Sequence, residues 1–191
     1  PDNYDQEIQE QLLVGEYGAW RTLDLHRQIP GKEGLNSENA MSSLMEKKLR
    51  LGEKAKDSTC GHFQWIFTSH ENPGRNQSGE AYREPDRLGP VNYKGLFSPW
   101  GEPADVFYMY RSNYAPKDKK PMVYIVSHTW PSRWTSTGIK DSIAVYSNCD
   151  RVELFNGIDR NSLGEREREG IGTHFYWKNA DIQNNLLHAV G

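Results

Sequence analysis

A short apolar run over residues 11–14 stops abruptly at Gly15-Glu16, and a second run, CGHFQWIF, spans Cys60 to Phe67. Short apolar runs of this kind predict strands buried on both faces, as in a parallel sheet. Between them Met41, Leu44, Met45, Lys48, Leu49 and Leu51 recur near the helical period, which predicts a helix with one apolar stripe. Asn36 or Ser37 is placed to cap its start, and Gly52 with the Lys-rich stretch to Lys56 to close it. Strand, helix, strand is the order of a βαβ unit in an α/β fold. Trp20 to Gly34 reads as loop. A longer polar loop is expected from Thr68 to about Pro90, broken by Pro73-Gly74, Ser78-Gly79 and Pro85. Pro103 suits the first position of a helix to about Tyr114, with Val106, Phe107, Met109 and Tyr110 as its apolar face.

After Ala115-Pro116-Lys117 the pattern changes. Met122 to His128, Ser142 to Asn148, Arg151 to Phe155, Thr173 to Trp177 and Leu186 to Val190 are short strand candidates, separated by turn signals such as Asn156-Gly157 and Gly170 to Gly172. That spacing predicts an antiparallel sandwich. The expected organisation is α/β over 1–117 followed by all-β over 118–191.

Composition narrows the partners. The 191 residues carry a net charge of −3, so neither nucleic acid nor a membrane surface is implied. No run is apolar enough to span a membrane. Aromatic residues are 12% of the chain, and their flat faces suit sugar rings as well as cores. Cys60 and Cys149 lie far apart without metal-ligand spacing; both are expected free and buried, and no metal or cofactor is expected.

Val14-Gly15-Glu16-Tyr17-Gly18-Ala19 ends a strand with an acidic residue followed by Tyr-Gly. Gly61-His62-Phe63-Gln64-Trp65, Asn92-Tyr93-Lys94-Gly95-Leu96-Phe97 and the Tyr-rich Val106 to Ser112 follow in order. Pro121 to Ile125, Val145 to Asp150 and Val152-Glu153-Leu154-Phe155 complete the set. Together these strings resemble the C-terminal portion of glycoside hydrolase family 2, of the β-galactosidase and β-glucuronidase type. The resemblance implies the last two βα units of a TIM barrel, then an immunoglobulin-like β-sandwich, with both domains incomplete at the chain ends. Ser162-Leu163-Gly164 comes later after Glu-Leu-Phe than the family pattern has it, implying a small insertion in that hairpin.

The resemblance further implies Glu16 as catalytic nucleophile at the end of barrel strand seven. Tyr17, Trp65, Asn92 and Lys94 are the implied substrate-binding residues. Retaining hydrolysis uses two carboxyl groups about 5 Å apart, one attacking the anomeric carbon and one serving as acid then base. The family's acid/base is a Glu after Asn, and no Asn-Glu pair exists in this sequence. The remainder of the same enzyme is therefore the expected partner, carbohydrate the expected substrate, and the isolated chain is expected to be inactive. A periplasmic or secreted location is implied by the same resemblance. A terminal β-galactoside is the first choice of substrate. A β-glucuronide is the second, because uronic-acid-cleaving members carry an Asn-x-Lys motif near the place of Asn92 and Lys94, where an ammonium pairs with the sugar carboxylate.

Trp20, Arg21 and His26 on the following loop, and His70 and Glu71 further on, are secondary candidates for the pocket. His62 is expected to be a core histidine rather than a ligand. A competing reading of another class is a non-catalytic carbohydrate-binding or scaffold module, with Trp130, Trp134 and Trp177 as a stacking platform; the E-Y-G string and the βαβ pattern favour the enzyme.

Overall fold

A computed structural model describes residues 12–18, 38–71, 91–126 and 138–191, with 12, 71, 91, 92 and 138–142 described by backbone alone. The expected loop over 20–34, the cap at Asn36 or Ser37, and Trp130 and Trp134 lie outside the described residues. The chain divides into two compact units, Pro1–Phe107 and Tyr108–Gly191.

In the first unit β1 (Leu12–Tyr17) and β2 (Thr59–Gln64) pair in parallel across the intervening helix α1 (Glu38–Lys54). This is the βαβ arrangement that the periodicity predicts. Met41, Met45 and Leu49, at i, i+4 and i+8, are fully buried and form the helix face turned to the core. The helix ends at Lys54, within the closing stretch expected from Gly52 to Lys56. A Cβ at Gly52 would lie 2.8 Å from the His62 imidazole, so the glycine makes room for a ring on β2. Two further short strands, β3 (His70–Glu71) and β4 (Val91–Asn92), pair antiparallel. The start of the expected long loop is therefore ordered by pairing with a segment distant in sequence. The helix α2 (Asp105–Tyr114) starts just beyond Pro103. Its first backbone N–H, from Asp105, donates to the buried Glu38 carboxylate at 3.1 Å, a charge-assisted cap supplied by the start of α1.

Among the described residues, the second unit holds two three-stranded antiparallel sheets. One has the order β5 (Val123–Ile125), β6 (Gly138–Ser147), β9 (Phe175–Ile182); the other has β10 (Leu187–Val190), β7 (Arg151–Asn156), β8 (Asn161–Glu167). Ile143, Val145, Phe175, Trp177, Ala180 and Ile182 from one sheet share a core with Val152 and Leu154 from the other. Two sheets burying their inner faces against each other is a sandwich, as the strand spacing predicts.

Two strands differ from expectation for physical reasons. β8 is polar at nearly every position and exposed along most of its length, so no alternation betrays it. β9 (Phe175–Ile182) continues five residues past Trp177. Its buried positions change phase, from Phe175 and Trp177 to Ala180 and Ile182, at Asn179, whose φ is 51°. One left-handed residue, which asparagine tolerates, keeps both halves facing the core.

Asparagine amides hold the turns. Asn156, 2% exposed, donates to the Asn184 and Leu186 carbonyls at 2.7 and 2.8 Å. Its Oδ1 accepts from the Gln183 and Asn184 N–H groups at 2.7 and 3.2 Å. Asn148 does the same for the segment before β5, accepting from Met122 N–H and donating to the Ala115 and Lys120 carbonyls. Trp177 is 1% exposed, and its indole N–H donates to the Gly164 carbonyl at 2.9 Å. It is a core residue, which removes it from any stacking platform. Cys60 is exposed rather than buried, and Cys149 half-buried. No helix among the described residues is long and apolar enough to cross a membrane.

Candidate functional site

The two parallel strands of the first unit end side by side. Tyr17 lies opposite Gln64 in the register, and the Trp65 N–H donates to the Tyr17 carbonyl at 2.8 Å. The backbone alone thus holds Glu16 and Trp65 at the same C-terminal edge of the pair. Glu16 is exposed, and Trp65 is 39% exposed. The Trp65–Ile66 peptide bond is cis.

Tyr17 has the opposite parity from Glu16 and is buried. Its ring meets His62 edge-on, with centroids 5.0 Å apart at 84°. His62 in turn fills the space left by Gly52. Burial pushes the His62 pKa below its ordinary value of 6.5, because a partly desolvated imidazole resists protonation. His62 therefore supports the strand end from beneath, as a packed histidine.

The glycine of the E-Y-G string is required where it stands. Gly18 has φ 86°, and a Cβ there would lie 2.4 Å from the Gln64 amide oxygen. That amide donates to the Trp65 carbonyl at 2.9 Å and to the Gly18 carbonyl at 3.4 Å. Gln64 thus ties the chain leaving β1 to the chain leaving β2, a role that its residue type alone does not announce.

Lys94 reaches the same neighbourhood through a backbone strap. Directly after Trp65, the Ile66 and Phe67 carbonyls accept from the Leu96 and Phe97 N–H groups at 3.1 and 3.0 Å. The Ser69 N–H donates to the Phe97 carbonyl at 2.7 Å, and Thr68 and Phe97 form a parallel bridge. The Gly95 N–H donates to the buried Ser69 hydroxyl at 2.9 Å. On its other side the strap is fixed by the Ala104 N–H, which donates to the Leu96 carbonyl at 2.9 Å. Lys94 itself is half-buried. Tyr93, inside the N-Y-K string, packs edge-on against Trp100 at 6.2 Å and 82°. Asn92 is described by backbone only and pairs with His70 between β3 and β4.

The structure therefore joins three of the sequence candidates through one continuous backbone lattice: Glu16 on β1, Trp65 after β2, and Lys94 on the strap. Trp20, Arg21 and His26 lie outside the described residues. Among the described residues no group of three or more His, Cys, Asp or Glu could hold a metal ion. Gln64 and Ser69 are the members that sequence reasoning misses.

Residues 138–191 match a family model described as a domain of unknown function, DUF4982. A curated protein of Formosa agariphila carrying the provisional name β-glucuronidase is 35% identical over 162 residues, covering 81% of this chain and 18% of that protein. The crystal structure of a Parabacteroides merdae β-glucuronidase superposes with a TM-score of 0.69 at 29% identity, over 94% of this chain and 22% of that one. A Bacteroides uniformis β-glucuronidase gives 0.66 at 25% identity, over 93% of this chain and 25% of that one. The chain spans a quarter or less of the length of these proteins.

Proposed function

The chain belongs to glycoside hydrolase family 2, the family of β-glucuronidases and β-galactosidases, and from that premise we propose that it forms part of a retaining β-glucuronidase. The expected domain over 1–117 is then the end of a TIM barrel, with β1 and β2 as its last two strands, and that over 118–191 an immunoglobulin-like sandwich. Barrel enzymes build their sites at the C-terminal ends of the strands, where Glu16 and Trp65 stand. Glu16 is the nucleophile that forms the glycosyl-enzyme, Trp65 stacks on the sugar, and a carboxyl group elsewhere in the full-length protein serves as acid and base.

The substrate choice reverses the order drawn from sequence. The galactoside stood first there; the relatives that cover most of this chain carry the β-glucuronidase name, which favours the glucuronide. The observation that carries the reading is the strap. It clamps Lys94 beside the strand end that bears Trp65, where an ammonium can meet a substrate carboxylate through a charge-assisted hydrogen bond. Removing one partner of such a pair costs about 2–5 kcal/mol. The test is the efficiency of the full-length protein on nitrophenyl β-glucuronide and β-galactoside. Wild type is expected to prefer the glucuronide, and Lys94→Ala to lower that activity by a factor on the order of 10² with far less effect on galactoside. A wild-type preference for galactoside that is insensitive to Lys94→Ala would refute the proposal.

A further inference from the structure

We propose that Ser69 is a positioning residue for substrate selection, holding Lys94 in register with Trp65 through its hydrogen bond to the Gly95 N–H; this rests on the glucuronide reading above. A lysine side chain is long and flexible, so where its ammonium can act depends on where its backbone is anchored. Most hydrogen bonds described above for the strap are backbone to backbone, but the Ser69 hydroxyl is a side-chain anchor that accepts from the residue next to Lys94 at 2.9 Å. Ser69 is 3% exposed, so water is poorly placed to replace it, and a buried N–H left without an acceptor is expensive.

The neighbouring glycine makes the same point from the other side. A Cβ on Gly95 would lie 2.1 Å from the Ser69 nitrogen and 2.6 Å from the Phe97 oxygen. The two segments approach this closely only because Gly95 has no side chain, and the short approach lets the serine reach its N–H. Glu16 and Trp65 are held differently, by strand pairing and by the Trp65 N–H to Tyr17 carbonyl bond. Loss of the Ser69 hydroxyl should therefore loosen Lys94 while leaving the nucleophile and the stacking surface in place. A uronate, which needs Lys94, should suffer more than a neutral sugar.

The test uses the full-length protein with nitrophenyl β-glucuronide and nitrophenyl β-galactoside, comparing wild type, Ser69→Ala, Ser69→Thr and Lys94→Ala. Ser69→Ala is expected to lower kcat/KM on the glucuronide about tenfold, chiefly through KM, and on the galactoside less than about threefold. Ser69→Thr, which keeps the hydroxyl, should retain the wild-type ratio of the two substrates. An equal loss on both substrates in Ser69→Ala, or no loss, overturns the proposal while a selective Lys94→Ala leaves the glucuronide reading standing. A Lys94→Ala variant without selectivity fails that reading, and the role of Ser69 falls with it. Hydrogen exchange on the unsubstituted protein supplies a measurement that needs no variant to fold. The Gly95 amide should exchange as slowly as those of Leu96 and Phe97, and exchange at the rate of an unbonded amide overturns the clamp.

Discussion

Replacing Gly95 with alanine adds one methyl group at the tightest point of the candidate site. The new carbon would lie 2.1 Å from the Ser69 nitrogen and 2.6 Å from the Phe97 oxygen and the Thr68 carbonyl carbon, where ordinary contact begins at 3.4 Å. All three neighbours are backbone, so no side chain can swing aside. The strap must back away by about an ångström, a distance that suffices to misplace a substrate-binding group. The retreat weakens the Gly95 N–H to Ser69 hydroxyl bond and the two ladder bonds beside it, from Leu96 to Ile66 and from Ser69 to Phe97. At about 1 kcal/mol each, these three bonds cost roughly 3 kcal/mol. An ångström of misplacement in a binding group lowers activity on the order of 10²-fold. The expected result is a loss of at least that order in kcat/KM on nitrophenyl β-glucuronide, larger than for Ser69→Ala, with far-ultraviolet circular dichroism unchanged. Glucuronidase activity within about threefold of wild type would refute the argument, because the strap would then tolerate a methyl group that the geometry excludes.

Other consequences follow from the same structure. Glu16→Gln should abolish turnover with the fold intact, and azide added to Glu16→Ala should yield a glycosyl azide of inverted anomeric configuration; near-normal turnover of Glu16→Gln would place the nucleophile elsewhere. Because burial lowers the His62 pKa below 6.5, the unfolded chain binds the proton more readily. His62 therefore supports stability fully above about pH 6.5, and that support is lost as pH falls through the folded-state pKa. Thermal melts from pH 7.5 down to 5.5 should fall less steeply in His62→Gln than in wild type, and equal slopes would exclude the linkage. Asn156→Ala removes four hydrogen bonds from a buried turn and should destabilise the sandwich by about 2–4 kcal/mol, read as a lower urea midpoint; an unchanged midpoint would show that the turn does not depend on the amide.

The legible parts of this protein are those whose requirement is carried by the residue itself or by its immediate neighbours. The stripe of Met41, Met45 and Leu49 announces α1, since each residue is buried at helical spacing. The runs around Val14 and His62 announce two strands, and the helix between them implies that they are parallel. Glu16 is visible because Gly18 must follow it: only glycine suits both φ 86° and the Gln64 amide at 2.4 Å from a Cβ. What stays hidden depends on partners distant along the chain. β8 has no apolar alternation because nearly all of its positions are polar and most are exposed, and its existence rests on pairing with β7. β3 lies in a polar stretch whose order comes from β4, beyond a long intervening segment. The end of β9 is concealed by the change of phase at Asn179. Ser69 is the extreme case: a serine in a polar run, given its role by an N–H 26 residues away. Yet the contact does leave one trace in the sequence, on the other partner. Gly95 follows Lys94 because the backbone of 68 and 69 occupies the space that a side chain would need. A glycine beside a charged candidate, outside any turn that calls for one, thus points to a buried neighbour before that neighbour is known.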